Sequence, residues 1–325
     1  MSPAPASAPL ASGSVSLRLY PHALEATEII AEMRAQAALG REAGFDGMMT
    51  SEHHGGFGGY LPNPQQLTGF LLEAMPDGWA AACPLLLPLR PPALVIEEAA
   101  WMAARFPGRV GLGVATGSLQ ADFDILETNK DGLVQRFSTG LTRVADALSG
   151  RDAGDLAGDP AVARCREYPV PVMSAAMSPA AVRRAAAAGA GLLFDSLSTI
   201  ERCRMLTDAY REAGAPAAAL MVRRAWVGPP PRSRLDQQVD LYRTYAGAAA
   251  QTHWADDAVL SSSDPAELAD MLVETVIAAG CDGLNIRLHV PGITPEEIRD
   301  QLAALGDVVP RVSALLAQRL DIPQP

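Results

Sequence analysis

The chain has 325 residues, is 49% hydrophobic and 19% charged, and carries a formal net charge of -11. It can bury a sizeable core, as two domains or one large α/β barrel. Its acidic balance, with Lys130 the only lysine, argues against a general nucleic-acid or anionic-membrane binder, which needs clustered Lys and Arg.

Cys83, Cys165, Cys203 and Cys281 are scattered with no C-x-x-C, which suits reduced thiols in a cytoplasmic enzyme and not a disulfide or zinc framework. No window approaches about 18 uninterrupted apolar residues, so no membrane span is expected. Residues 1–14 are rich in Ala, Pro and Ser. They lack the charged and apolar regions of a signal peptide and read as a disordered tail.

Val15 to Tyr20 alternates and predicts strand one. Thr27 to Ala43 has helical spacing, with Ile30, Met33 and Ala37 on one face, and Gly44 stops it. Gly47-Met48-Met49-Thr50 then reads as a short buried strand two. It ends in Glu52-His53-His54 and runs into a glycine-rich loop, Gly55-Gly56-Phe57-Gly58-Gly59. An acid and two imidazoles at the end of a strand is how a (β/α)8 barrel places chemistry. Adjacent histidines also occur in surface loops without function. Strand alternation puts Glu52 and His54 on one face and His53 on the other. A turn at His53 would break that pattern, so spacing leaves open which histidine faces a pocket.

Asn63-Pro64 is a helix cap with proline at the first position, opening a helix to about Met75. Trp79 to Leu87 is a continuous apolar run suited to a strand buried on both faces. Pro84 inside it removes a ladder donor, which calls for a bulge or a cis Cys83-Pro84 bond. A helix follows over Pro92 to Phe106, then strand four over Val110 to Val114, leading into Ala115-Thr116-Gly117-Ser118. Leu119 to Gly132 reads as a polar segment, Leu133 to Leu148 as a helix, and Gly150 to Arg166 as loop.

Val170 to Ala175 predicts strand five, and Ser178-Pro179 caps a helix reaching Ala188. Leu192 to Phe194, Leu220 to Val227 and Gly283 to Leu288 predict the last three strands. Helices separate them over Ile200 to Ala213, Leu235 to Ala250 and Asp264 to Ala279. Thr294 opens a final helix to Leu316. Eight strands alternating with helices favour one α/β domain, a single (β/α)8 TIM barrel over residues 15–318 with a short tail at 319–325. His253, Trp254 and His289 are further pocket candidates with little support. Cys83, in a buried run, reads as a packing residue.

Several stretches carry a family likeness. Gly44-Phe45-Asp46 with Glu52-His53-His54 and Leu61-Pro62-Asn63-Pro64 resembles the bacterial luciferase-like flavin-dependent monooxygenases. So do Leu86-Leu87-Pro88, Gly108 to Gly113, Asp122-Phe123, Ser178 and Gly283-Leu284-Asn285-Ile286-Arg287 to Pro291-Gly292. The likeness spans roughly Val15 to Leu316, and its strength is in the order of the motifs.

The resemblance implies a luciferase-like barrel, usually a homodimer, that uses reduced FMN from a separate flavin reductase and O2 to oxidise a small organic substrate. It implies His53 as catalytic acid or base and Asp122 near the flavin ring; Glu52, a carboxylate beside that imidazole, would fix its tautomer or simply hydrogen-bond backbone in the barrel mouth. The resemblance places the cofactor against Cys83 and Pro84, where the family has a cis bond, and near Thr116, Gly117 and Ser178. Ser178 would meet the phosphate at a helix N-terminus. Thr116 stands where relatives often carry a phosphate-gripping arginine, and the stretch from Leu148 to Val170 is short. These departures keep open a cofactor-poor partner subunit of a flavin monooxygenase, and because relatives of this barrel use deazaflavin, the resemblance also leaves a deazaflavin-dependent hydride-transfer oxidoreductase.

Overall fold

The computed structural model describes residues 6–245, 254 and 259–322. Its strands are β1 (Val15–Arg18), β2 (Gly47–Thr50), β3 (Trp79–Leu86), β4 (Val110–Ala115), β5 (Val172–Ala175), β6 (Gly191–Phe194), β7 (Ala219–Val227), β8 (Val259–Ser262) and β9 (Gly283–Arg287). All pairings between them are parallel. Eight strands form a ring in the order β1-β2-β3-β4-β5-β6-β7-β9. The ring closes where β9 returns to β1, with Val15 opposite Leu284 and Arg18 opposite Arg287. The chain is therefore the expected single (β/α)8 barrel.

Helices α1 (Ala26–Glu42), α2 (Pro64–Ala74), α3 (Pro92–Arg105), α5 (Leu133–Leu148), α7 (Pro179–Ala188), α8 (Ile200–Glu212) and α9 (Arg232–Tyr245) match the expected segments closely; short α4 (Gln120–Ile125) and α6 (Pro160–Arg164) lie where loop was expected. The expected end of α9 reaches residues outside those described. Proline at the first helical position recurs after Asn63, Ser178, Asp264 and Thr294, each of which accepts a backbone N–H of the first turn. The final expected helix is two, Pro295–Leu305 and Val309–Arg319. Gly306 and Asp307 interrupt it, and Pro310, lacking an N–H, fits a fresh first turn. Strand β8 was not anticipated. It has only four residues, ends in two serines, and pairs with the outer half of β7 from Arg224 to Val227.

One apolar layer lies between the strands and the helices, and a second fills the barrel. The inner layer sets large residues against glycines. A Cβ on Gly47 would sit 2.1 Å from the Trp79 ring, and one on Gly113 would sit 2.1 Å from Cys83 Sγ. The sequence reading of residues 1–14 as a disordered tail needs correction from Ser7 onward. Leu10, 3% exposed, belongs to the barrel interior beside Ala81. The backbone N–H groups of Ser7 and Val15 both donate to Asp46 at 2.8 Å. Burial of Leu10 together with the hydrogen bonds to Asp46 holds a segment whose composition looks unstructured.

Candidate active site

The C-terminal ends of the strands surround a cavity of about 410 Å3, within the range of small-molecule sites, roughly 300–1,000 Å3. Arg18, Tyr20, His53, Pro84, Ser118 and Arg287 are among the residues that line it. A shallow groove of about 470 Å3 lies on the outer wall near Ser138, Arg143, Asp146 and Asp152. Two of its charges are already paired, Arg143 with Asp155 and Asp146 with Arg151, and it brings no reactive groups together.

Strand β2 ends at Thr50, and the chain turns so that His53 and His54 part. His53 lines the cavity with its ring 4.5 Å from Tyr60 and 4.8 Å from Phe57. Its Nδ1 meets Asp122 Oδ2 at 2.7 Å, and the His54 backbone N–H donates to Asp122 Oδ1 at 2.8 Å. Asp122 has no exposed surface and is carried on the unexpected helix α4. A buried carboxylate here holds the proton on Nδ1, and among the described residues His53 Nε2 has no hydrogen-bond partner.

Glu52 also lines the cavity but is not the carboxylate that holds His53, as the sequence suggested. Its Oε1 meets His54 Nε2 at 2.9 Å and Arg90, and its Oε2 accepts the Leu86 N–H at 2.6 Å. The Glu52 backbone N–H donates to the Pro84 carbonyl at 3.2 Å. Glu52 therefore ties the ends of β2 and β3 together. Which histidine faces the pocket was left open by spacing; His53 does, and His54 is the one paired with Glu52.

The Cys83–Pro84 peptide bond is cis. Pro84 lines the cavity, while Cys83 points its sulfur at Gly113 inside the barrel. Burial pushes the Cys83 thiol up to about 11, which makes it a packing group and not a nucleophile. Thr116 and Gly117 sit just behind the lining, at the end of β4. Gly117 has φ +75 and packs near Phe123 and Leu86, and its neighbour Ser118 reaches the cavity. Ser178 caps α7, accepting the Ala181 N–H at 3.3 Å, and its neighbour Met177 lines the cavity. Arg202 of α8 donates to the Met177 carbonyl at 2.9 Å, so a guanidinium stands beside this helix start although β4 supplies none.

Sequence reasoning missed the opposite wall. Arg18 bonds Asn285 Oδ1 at 2.7 Å, the Cys83 carbonyl at 2.9 Å and Ser51. It thereby braces the carbonyl next to the cis bond. Arg287 lies 4.6 Å from the Tyr20 ring centroid and 5.5 Å from that of Tyr242, and donates to the Tyr242 hydroxyl at 2.5 Å. Burial opposes ionisation of the Tyr242 phenol, but Arg287 and the Tyr60 hydroxyl outweigh it and hold that phenol below its ordinary value. The signal was a charged residue at the last inward position of a buried barrel strand. Trp254 lines the cavity and bridges to Ser198, whereas His253 lies outside the described residues. His289 packs on His22 at 4.7 Å and Tyr20 at 5.6 Å, outside the cavity lining.

Among the described residues no group of three or more His, Cys, Asp or Glu could hold a metal ion, and no helix is long and apolar enough to cross a membrane.

The sequence profile of the luciferase-like monooxygenases matches residues 13–310. No curated protein matches the chain. Among solved structures, the monooxygenase RslO1 from Streptomyces bottropensis is similar at 18% identity and TM-score 0.72, over 91% of this chain and 98% of that one. The oxygenating constituent of 3,6-diketocamphane monooxygenase from the CAM plasmid of Pseudomonas putida, in complex with FMN, is 15% identical with TM-score 0.73, over 92% and 98%. An F420-dependent secondary alcohol dehydrogenase, in complex with an F420–acetone adduct, is 15% identical with TM-score 0.68, over 93% and 99%.

Proposed function

The chain belongs to the luciferase-like monooxygenase family, and from that premise we propose that it is an oxygenase using reduced FMN, delivered by a separate reductase, to oxidise a small organic substrate with O2. The observation that carries this reading is the His53–Asp122 pair on the wall of a cavity floored by Pro84 and Leu86. A flavin fits the groups around it. Pro84, Leu86, Ala175 and Met177 offer an apolar surface for a ring system, and Ser118 offers a hydroxyl. The start of α7, with Arg202 beside it, supplies N–H groups and positive charge for a phosphate.

Bound reduced flavin would supply the electrons that activate oxygen. The protein's own part is positional and acid–base. Asp122 fixes the His53 ring so that Nε2 can take or give a proton at the oxygen-derived group or the substrate. Glu52 and Arg18 hold the strand ends that carry His53 and Pro84. Apolar walls exclude water from the reacting groups.

A second reading, hydride transfer with a deazaflavin, is favoured by the likeness to the F420-dependent dehydrogenase. An anaerobic titration with reduced FMN and then with reduced deazaflavin separates the two. Reduced FMN binding that His53→Ala perturbs supports the oxygenase, and binding of deazaflavin alone overturns it. Binding of neither leaves a partner-subunit role.

A further inference from the structure

Arg287 is 6% exposed and lines the cavity, yet the only hydrogen bond of its guanidinium to the described residues goes to the Tyr242 hydroxyl. Among the described residues its Nε has no hydrogen-bond partner and no carboxylate pairs with it. Across the β7–β9 register lies Arg224, 3% exposed, which bonds Gln238 Oε1 at 2.6 Å and leaves Nε and Nη2 without partners. Two guanidinium groups are thus buried side by side with no carboxylate paired to them among the described residues, an arrangement that is costly unless an anion completes it. Burial and then the like charge of Arg287 lower Arg224 to about 10, whereas for Arg287 burial is outweighed by Tyr20, Tyr242 and Tyr60, which hold it above its ordinary value.

We propose that Arg287 anchors an anionic oxygen of the substrate, a carboxylate or an acidic phenol, at the β9 side of the cavity. The inference rests on the oxygenase reading only in calling that anion the substrate. Helix α7 starts after β5, three strands round the ring from β9, so this charge lies on a different side of the mouth from the α7 start that suits a cofactor phosphate. Aromatic rings continue the path toward the candidate acid–base group. Tyr20 stacks under Arg287, Tyr60 meets Tyr20 at 5.2 Å, and Tyr60 meets His53 at 4.5 Å. A planar acid held by Arg287 would lay its ring along these tyrosines with its far end toward His53.

The test uses benzoate and its neutral isostere benzamide, each titrated calorimetrically into the full chain at low salt. Benzoate is expected to bind about tenfold more tightly than benzamide. Arg287→Gln should remove most of that preference, and Arg287→Lys, which keeps the charge but loses the planar fork, should retain part of it. Affinity for reduced FMN should change less than about threefold in both variants, because uniform loss of binding is not expected from a site on a different side of the mouth. Equal binding of the two probes by the native chain, no binding of benzoate, or an unchanged Arg287→Gln variant would each overturn the proposal. A parallel loss of FMN binding would also overturn it, by moving Arg287 into the cofactor's site. Should Arg287→Gln fail to fold, the benzoate–benzamide comparison and Arg287→Lys still decide. Arg287-dependent benzoate binding in a chain that binds neither flavin nor deazaflavin would uphold the acid site while refuting the oxygenase reading.

Discussion

Asp122 grips two successive residues of the β2 loop at once: one oxygen meets the His53 ring at 2.7 Å and the other accepts the His54 N–H at 2.8 Å. One buried carboxylate therefore sets both the tautomer of His53 and the path of the backbone that carries it. Asp122→Asn keeps the shape but can present an N–H to Nδ1, favouring the opposite tautomer. Reoxidation of bound reduced flavin by oxygen should slow or change course by about a hundredfold, with flavin affinity nearly unchanged. Stopped-flow absorbance reads the rate, and nitrogen-15 NMR of the imidazole reads the tautomer. An unaltered tautomer in the variant would refute the positioning role.

Glu52 has the opposite character. Both of its oxygens are used by Leu86, His54 and Arg90, so its removal strands the Arg90 guanidinium, which is only 13% exposed. Glu52→Gln is expected to lose about 3 kcal/mol of stability, as when one partner of a buried pair is deleted. Urea unfolding measures this. A loss below about 0.5 kcal/mol would show that the pair contributes no more than an exposed ion pair does.

Ser178 separates two roles by two readouts. As a helix cap alone, Ser178→Ala costs about 1 kcal/mol of stability and leaves cofactor affinity intact. As a phosphate contact it also weakens reduced FMN by about fivefold, and Arg202→Gln should do the same without the loss of the cap. The same titration with riboflavin, which lacks the phosphate, should show no effect of either substitution.

Inside the barrel, Gly47→Ala pushes a methyl group into the Trp79 ring, where the ideal Cβ lies only 2.1 Å away. Both partners are fully enclosed, so the strain cannot be relieved toward solvent. The expected cost is about 1–3 kcal/mol in urea unfolding, the range for overpacked cores. Trp79→Leu in the same chain should recover part of it, and failure to do so would separate the effect from this contact.

His289 gives the chain a distinct acid limb. Burial, then the charges of His22 and Arg287, lower it from 6.5 to about 3 in the folded state. Unfolded, it takes up a proton near 6.5, so the unfolded chain binds more protons as pH falls toward about 3, and stability drops across that window. Above 6.5 both states are neutral at this ring and the contribution is constant. The stability difference between His289→Gln and the native chain should therefore shift in favour of the variant between pH 7 and pH 4.5. A difference that stays constant with pH would exclude His289 as its source.

The sequence by itself determined the barrel and the place where β3 departs from a regular strand. Eight apolar runs of strand length alternating with helices allow few arrangements other than a closed parallel ring. Pro84 in a buried run called for a bulge or a cis bond, and β3 has both, a cis Cys83–Pro84 bond and a shift of register against β4 between Ala82 and Leu85. These are local signals, carried by neighbours in the chain. What the tertiary structure decided is which charges meet. Asp122 pairs with His53 across 69 positions, and Arg287 reaches Tyr242 across 45. Glu52, two residues from His54, could be paired by proximity, but its partners Leu86 and Arg90 could not. The packed tail at Leu10 was hidden for the same reason, since composition reports the cost of ordering a segment but not the cavity that a single leucine will fill. Hydrophobic periodicity repeats along the chain and can be read from it. Electrostatic partnership depends on where the closed barrel brings its strand ends together.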